Sequence, residues 1–133
     1  QYNTNNRFAP ITEEIGPYPF TISRDRVTVD DAEVTFVNPT HPVLNTPNVI
    51  TQADFDNWIQ ERGIYFASEI DANYETVFSM HDPGEEPSEG SLIIGKYGKG
   101  NFVYTGLVFF RELPAGVPGA FRLFVNLLSL PKN

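Results

Sequence analysis

The stretch SMHDPGEEPSEG, residues 79–90, gathers His81, Asp82, Glu85, Glu86 and Glu89 into a short polar segment. Side chains of these types bind cations or move protons. A hard cation needs several oxygens converging from fixed positions, as in the D-x-D-x-D-G spacing of a calcium loop. That spacing is absent, and Pro83 and Pro87 restrict how the chain can wrap an ion. A transition metal would pair His81 with a second histidine at a fixed offset. The only other one is His41, forty residues upstream. The stretch is therefore read first as a hydrated connection. The alternative is a ligand or ion site at His81, Glu85 and Glu86, which would make the chain a small metal-dependent hydrolase.

Other residues invite chemistry less strongly. His41 opens THPVLN. A His-Pro step at a turn is first a structural device, with the ring capping a backbone carbonyl; the other reading is a polar contact at the C-terminal edge of a sheet, where ligands of open α/β folds sit. Glu69, Asp71 and Glu75 have the right type for paired-carboxylate glycosidase chemistry. Nothing in their spacing makes them converge, so they read as charged surface. A Ser-His-Asp triad lacks the constrained G-x-S-x-G turn. The segment GKYGKG fails the phosphate-loop pattern, because Asn101 follows Gly100 and a strand comes next. In FFRELPAGVPGAFR, glycines surround Arg111 and Arg122, and a helix begins near Gly119. Free N–H groups at a helix start hold anions; the competing reading is a stiff loop that aims the last helix.

The elements that must position these groups are short, because eleven Pro and ten Gly punctuate the chain. Residues 1–22 read as an irregular arm and residues 23–133 as a mixed α/β core. RVTVDDAEVTFVNP alternates as two short strands, or one strand turning at Asp30-Asp31. TQADFDNWIQERG predicts a helix: Thr51 and Asp54 have capping-box spacing, Phe55, Trp58 and Ile59 form an apolar stripe, and Gly63 stops it. IYFASEI and ETVFSMH are strand-like. SLIIGKY and NFVYTGL flank GKG as an antiparallel hairpin. SLIIG and FVYTGLVFF are nearly continuous apolar runs, as in strands covered on both faces. The last helix places Phe121, Phe124, Val125 and Leu128 on one face, with Leu127 beside them, and Pro131 ends it. The expected fold is α/β, with a mixed, partly antiparallel sheet and few helices. Two helices cannot cover both faces of such a sheet. Loops, or polypeptide outside this sequence, must supply the rest.

The totals exclude several classes. A chain of 133 residues fits one domain, or the C-terminal part of a larger one, and is long enough to bury a core. Without cysteine it has no disulfide, thiolate nucleophile or Cys-based metal site. A net charge of −8 repels phosphate backbones and anionic lipid, so nucleic acid is not an expected partner. No apolar run approaches the roughly 20 residues of a membrane-spanning helix. The start, QYNTNNRF, lacks an initiator Met and a signal peptide and begins in β-type residues. It is expected to be the end of a central strand in something longer.

Three segments, HPVLNTPN, YGKGNFVYTGL and FFRELPAGVPGAFRLFVNLLSL, together resemble the C-terminal region of large bacterial PIG-L/LmbE-type deacetylase proteins. That region looks like a class I glutamine amidotransferase-like domain, related to trehalose-utilisation-type domains. The resemblance covers residues 27–131, and RELPAGVPGAFRLF is its most specific part. It implies the C-terminal half of a flavodoxin-like domain and a parent that deacetylates N-acetylated sugars by zinc-water attack. The deacetylase zinc motif, HPDDE-like, is missing: the only HP is followed by Val43, and the only HD by Pro83. The amidotransferase Cys nucleophile is missing too. No catalytic residue and no cofactor therefore carry over to this chain, and zinc is expected only in a deacetylase domain of the parent.

The expected role is that of a non-catalytic accessory domain that packs, or contacts carbohydrate or a partner. The expected partners are the remainder of a parent polypeptide or a second copy. The residues expected to make contacts are His41, His81, Glu85, Glu86, Arg111 and Arg122. Family resemblance also suggests export or a periplasmic location. A free-standing sugar-binding module is a further reading; it needs Tyr65, Tyr74 or Tyr97 exposed beside polar groups.

Overall fold

A computed structural model of the chain describes residues 10–11 and 16–133. The expected strand end at QYNTNN lies outside the described residues. So does most of the expected arm, but its last part is not irregular. Strand β1 (Pro10–Ile11) pairs antiparallel with β2 (Phe20–Ile22), and β2 pairs in turn with β6 (Ala67–Ser68).

The segment after β2 gives β3 (Arg26–Val27) and β4 (Val34–Phe36), separated by a turn at Asp30-Asp31 that Ala32 N closes onto Val29 O. They diverge to different partners, β3 to β5 (Gly63–Ile64) and β4 to β8 (Phe78–Met80). A third ladder orders β10-β9-β7, from β7 (Tyr74–Thr76), β9 (Leu92–Tyr97) and β10 (Gly100–Thr105). The fold is mixed α/β, built of small sheets with few helices. Every strand pairing among the described residues is antiparallel, whereas a mixed sheet was expected.

The hairpin forms as its sequence predicts. Gly98 turns it at φ 57°, a left-handed conformation that costs glycine little. Strand β9 is the middle strand of its ladder. Its Leu92 and Ile94 enter the main core with Val34, Phe55, Phe78 and Leu123; Ile93 faces a second cluster with Phe20, Ile22 and Tyr74. Cover on both faces explains its apolar run. Strand β10 differs: it is a half-exposed edge, and VFF leaves the sheet to begin helix α1 (Phe109–Glu112).

The expected helix over 51–63 is not there. Only a 3-10 turn forms, Gln52–Phe55, with Asp54 Oδ2 accepting the Thr51 N–H at 2.8 Å as the capping spacing predicts. Side chains then take the carbonyls a helix needs. Trp58 Nε1 donates to Asp54 O at 2.9 Å, the oxygen that the Trp58 N–H would use in a helix. Arg62 Nη1 takes Phe55 O at 2.5 Å. Asn57 and Gln60 have positive φ, 63° and 65°, which ends helical winding. Phe55 and Trp58 are buried but Ile59 is exposed.

Helix α2 (Pro118–Leu128) forms as expected, with Pro118 in its first turn, but with the opposite face inward. Gly119, Ala120, Leu123 and Asn126 are buried, while Phe121, Phe124, Val125 and Leu128 face outward. Gly119 explains the choice. A Cβ there would lie 1.7 Å from Asp54 O, so only glycine lets the helix approach the 3-10 turn.

Candidate functional site

The acidic stretch is a loop tied down at its first carboxylate. Buried Asp82 accepts the Thr28 N–H and hydroxyl at 2.9 and 2.8 Å and the Val29 N–H at 2.9 Å. Burial pushes its pKa up, but those hydrogen bonds and nearby Arg26 outweigh burial and hold it below the ordinary value. Met80 and Ser88 exchange backbone hydrogen bonds across the loop neck. His81, Glu85 and Glu86 project into solvent. The His81 Nδ1 lies 2.9 Å from the next residue's carbonyl, and Glu85 reaches Arg26 at 3.7 Å. Among the described residues no three His, Asp or Glu side chains cluster as a metal would require. The loop does not offer a fitting ligand set.

His41 stands apart from this loop. It is 6 % exposed and caps the 3-10 turn Pro42–Leu44. Its Nδ1 accepts the Val43 N–H at 3.1 Å, so the ring caps an amide and not the carbonyl expected. Nε2 faces Glu75 at 3.7 Å. Burial lowers the His41 pKa, and Glu75 only partly offsets it.

The two arginines near the last helix are equally committed. Arg122 Nε meets Asp54 at 2.7 Å and Nη2 meets Val49 O at 2.9 Å. Arg111 Nε meets Glu61 at 2.9 Å and lies over the Phe110 ring. The start of α2 is packed on the Asp54 backbone, so it does not present an anion cradle. The glycosidase-type carboxylates do not converge either. Glu69 accepts the Thr21 hydroxyl at 2.7 Å, Asp71 accepts the Asn73 N–H at 2.9 Å, and Glu75 goes to His41.

Sequence reasoning missed three buried polar anchors. Arg62 donates to Ala32 O and Phe55 O and lies over the Phe55 and Trp58 rings. Asn126, fully buried, donates to Val43 O and Asn48 O and accepts the Asn48 N–H, pinning α2 to the chain around Asn48. Glu112 is 0 % exposed; Oε1 accepts the Ile59 N–H at 2.5 Å while Oε2 has no partner. Burial raises its pKa, only partly offset by the Ile59 N–H and by Arg111 and Arg62. Nothing in residue type or spacing announces these roles.

Among the described residues, two surface features stand out. One is the outer face of α2, where Leu128 is 73 % and Phe121 46 % exposed. The other is a concavity of about 440 Å³ lined by Arg24, Arg26, Ile64 and Tyr65. Of the tyrosines that a sugar contact would need, Tyr74 is buried and Tyr97 is exposed at the hairpin tip, while half-buried Tyr65 lies beside arginines. No helix among the described residues is long and apolar enough to cross a membrane. No protein-family model, curated protein or solved structure matches the chain.

Proposed function

We propose that the chain is a non-catalytic accessory domain of a bacterial PIG-L/LmbE-type N-acetylsugar deacetylase. In this reading it is the second half of a glutamine amidotransferase-like, flavodoxin-like domain, and it packs against the remainder of the parent polypeptide. The zinc chemistry belongs to another domain of that parent.

The observation that carries the packing role is the outer face of α2. Phe121, Phe124, Val125 and Leu128 follow i, i+3, i+4, i+7 spacing on a helix whose other face is already packed through Ala120, Leu123 and Asn126. An apolar stripe of that width is the kind a helix buries against another body. These four side chains expose on the order of 400 Å² of apolar surface, the size of patch that in monomers is often functional. The flanking arginines are paired within the chain, so the face offers shape and hydrophobicity but no charge. The segments that carry the family resemblance include this helix.

Light scattering over a concentration series tests the reading. The isolated chain should self-associate as concentration rises, a second copy standing in for the parent. The Phe121→Lys/Leu128→Lys variant should stay monomeric with an unchanged circular dichroism spectrum. A wild-type chain that remains monomeric at high concentration would overturn it.

A further inference from the structure

Strand β9 ends at Tyr97, Gly98 and Lys99 form the turn, and β10 starts at Gly100, cross-strand from Tyr97. The tail after α2 runs past this tip. Asn101 Nδ2 donates to Pro131 O at 2.9 Å, and the Asn133 N–H donates to Lys99 O at 3.2 Å. Lys96, Lys99 and Lys132, the three lysines of the chain, are thereby gathered in one place, and all are exposed. Arginine is used differently. Arg26, Arg111 and Arg122 meet carboxylates, and Arg62 is buried on backbone carbonyls. Among the described residues no carboxylate lies within ion-pair distance of a lysine. Glu75, which shares Lys96's face of the sheet through its pairing with Ile94, is turned to His41.

Tyr97 stands bare among these lysines, 67 % exposed. Its cross-strand neighbour Gly100 has no side chain to lie over the ring, and a Cβ at Gly98 would meet nothing within 4 Å. Alternation sends Tyr97 to one face of the hairpin and Lys96 to the other, with Lys99 in the turn between them. A ligand laid across the tip therefore meets a ring on one side and ammonium groups on the other. The acidic loop is at the far end of the same strand. The six residues of β9 hold loop and tip about 17 Å apart. That exceeds the screening length of about 8 Å at physiological salt, so the loop does not oppose an anion at the tip.

We propose that the hairpin tip binds a polyuronate, an acidic polysaccharide with one carboxylate on each sugar ring. The C–H face of one sugar lies on Tyr97, and carboxylates of its neighbours meet Lys99 and Lys96. Lysine suits a repeating carboxylate of loose orientation, because its ammonium is a point charge on a flexible stem and needs no fork geometry. Duplex nucleic acid fits less well. With one charge per about 1.7 Å it brings dense negative charge against a chain of net charge −8. An acidic protein segment offers carboxylates but no sugar face for Tyr97, and the test separates the two. The tip uses no residue of the outer face of α2, so this proposal does not depend on what that face packs against.

The full chain, labelled with ¹⁵N, is titrated with an oligogalacturonate, its methyl ester and a poly-glutamate of equal length, following the amides of residues 96–101, 132 and 133. Saturable shifts at these amides are expected with the oligogalacturonate. The neutral ester should bind about tenfold more weakly, and poly-glutamate about threefold more weakly. Lys96→Gln/Lys99→Gln should weaken oligogalacturonate binding about fivefold. Tyr97→Ala, at an exposed position, should bring the oligogalacturonate down to the affinity of poly-glutamate and leave poly-glutamate itself unchanged. Absence of a saturable shift at about 10 mM uronate overturns the proposal, as does equal binding of the ester. Poly-glutamate binding as tightly as the oligogalacturonate, with both indifferent to Tyr97→Ala, overturns it in favour of an acidic protein segment.

Discussion

Residues 81–89 carry four carboxylates and a histidine, and the outer face of α2 carries four apolar side chains and no charge. By residue type alone the first region invites a site and the second a core. The structure shows a loop facing water, the first reading of its sequence, and an apolar helix face left exposed. Asp82 is consumed by Thr28 and Val29, and its acidic neighbours point into water without converging. The helix keeps its small residues for its own core and turns its phenylalanines outward. Charge that the fold needs ends up hydrogen-bonded to its own backbone, whereas apolar surface that the fold does not need remains available to another body.

Breaking the loop's tie should have the largest effect. Asp82→Ala leaves the Thr28 and Val29 amides without their charged acceptor and should destabilise the chain by about 3 kcal/mol. A thermal melt should record that as a fall of roughly 10 °C. The same carboxylate sharpens the comparison in acid: its folded pKa is depressed, so its contribution is present above the unfolded value of 3.8 and is lost as pH falls through the folded value. Loss of stability in Asp82→Asn at pH 7, with little further loss on acidification, would show the charge at work.

A smaller effect belongs to Glu112, the last residue of the one-turn helix α1. Its folded pKa is raised, so stability is full below the unfolded value of 4.5 and declines as pH rises through the folded value. Glu112→Gln keeps an acceptor for the Ile59 N–H and should flatten that decline in urea-denaturation profiles. His41 acts in the opposite direction. Its folded pKa is lowered, so stability is present above the unfolded value of 6.5 and is lost as pH falls below it. His41→Asn, which keeps a capping oxygen, should remove that loss.

The smallest changes are expected where the sequence looks most chemical and where it looks most buried. Glu86→Gln on the loop and Phe121→Lys on the helix should each alter unfolding free energy by less than about 0.5 kcal/mol. Only the helix change should alter association.

Some of this was legible in the residues. The hairpin followed from the strand-like runs SLIIGKY and NFVYTGL on either side of GKG, the turn at Asp30-Asp31 from its neighbours, and the capping pair from the spacing of Thr51 and Asp54. The helix expected over 51–63 failed because Trp58 and Arg62 spend side-chain donors on the carbonyls of Asp54 and Phe55, which periodicity does not reveal. The inward face of α2 was misread because hydropathy favours the face of Phe121, Phe124, Val125 and Leu128, whereas the face turned inward carries Gly119, Ala120, Leu123 and Asn126. The contact of Gly119 with the Asp54 backbone and the hydrogen bonds of Asn126 decide. At the candidate site, Arg111 and Arg122 were visible as charges near a helix start, but their partners Glu61 and Asp54 are 50 and 68 residues away.

Native mass spectrometry of the purified chain, before and after a chelator, reads the loop and the helix in one experiment. The predicted spectra are metal-free in both conditions, with dimer peaks that disappear in the Phe121→Lys/Leu128→Lys variant. A monomer that carries one divalent ion per chain until chelation would contradict both halves of the comparison and return the chemistry to His81, Glu85 and Glu86.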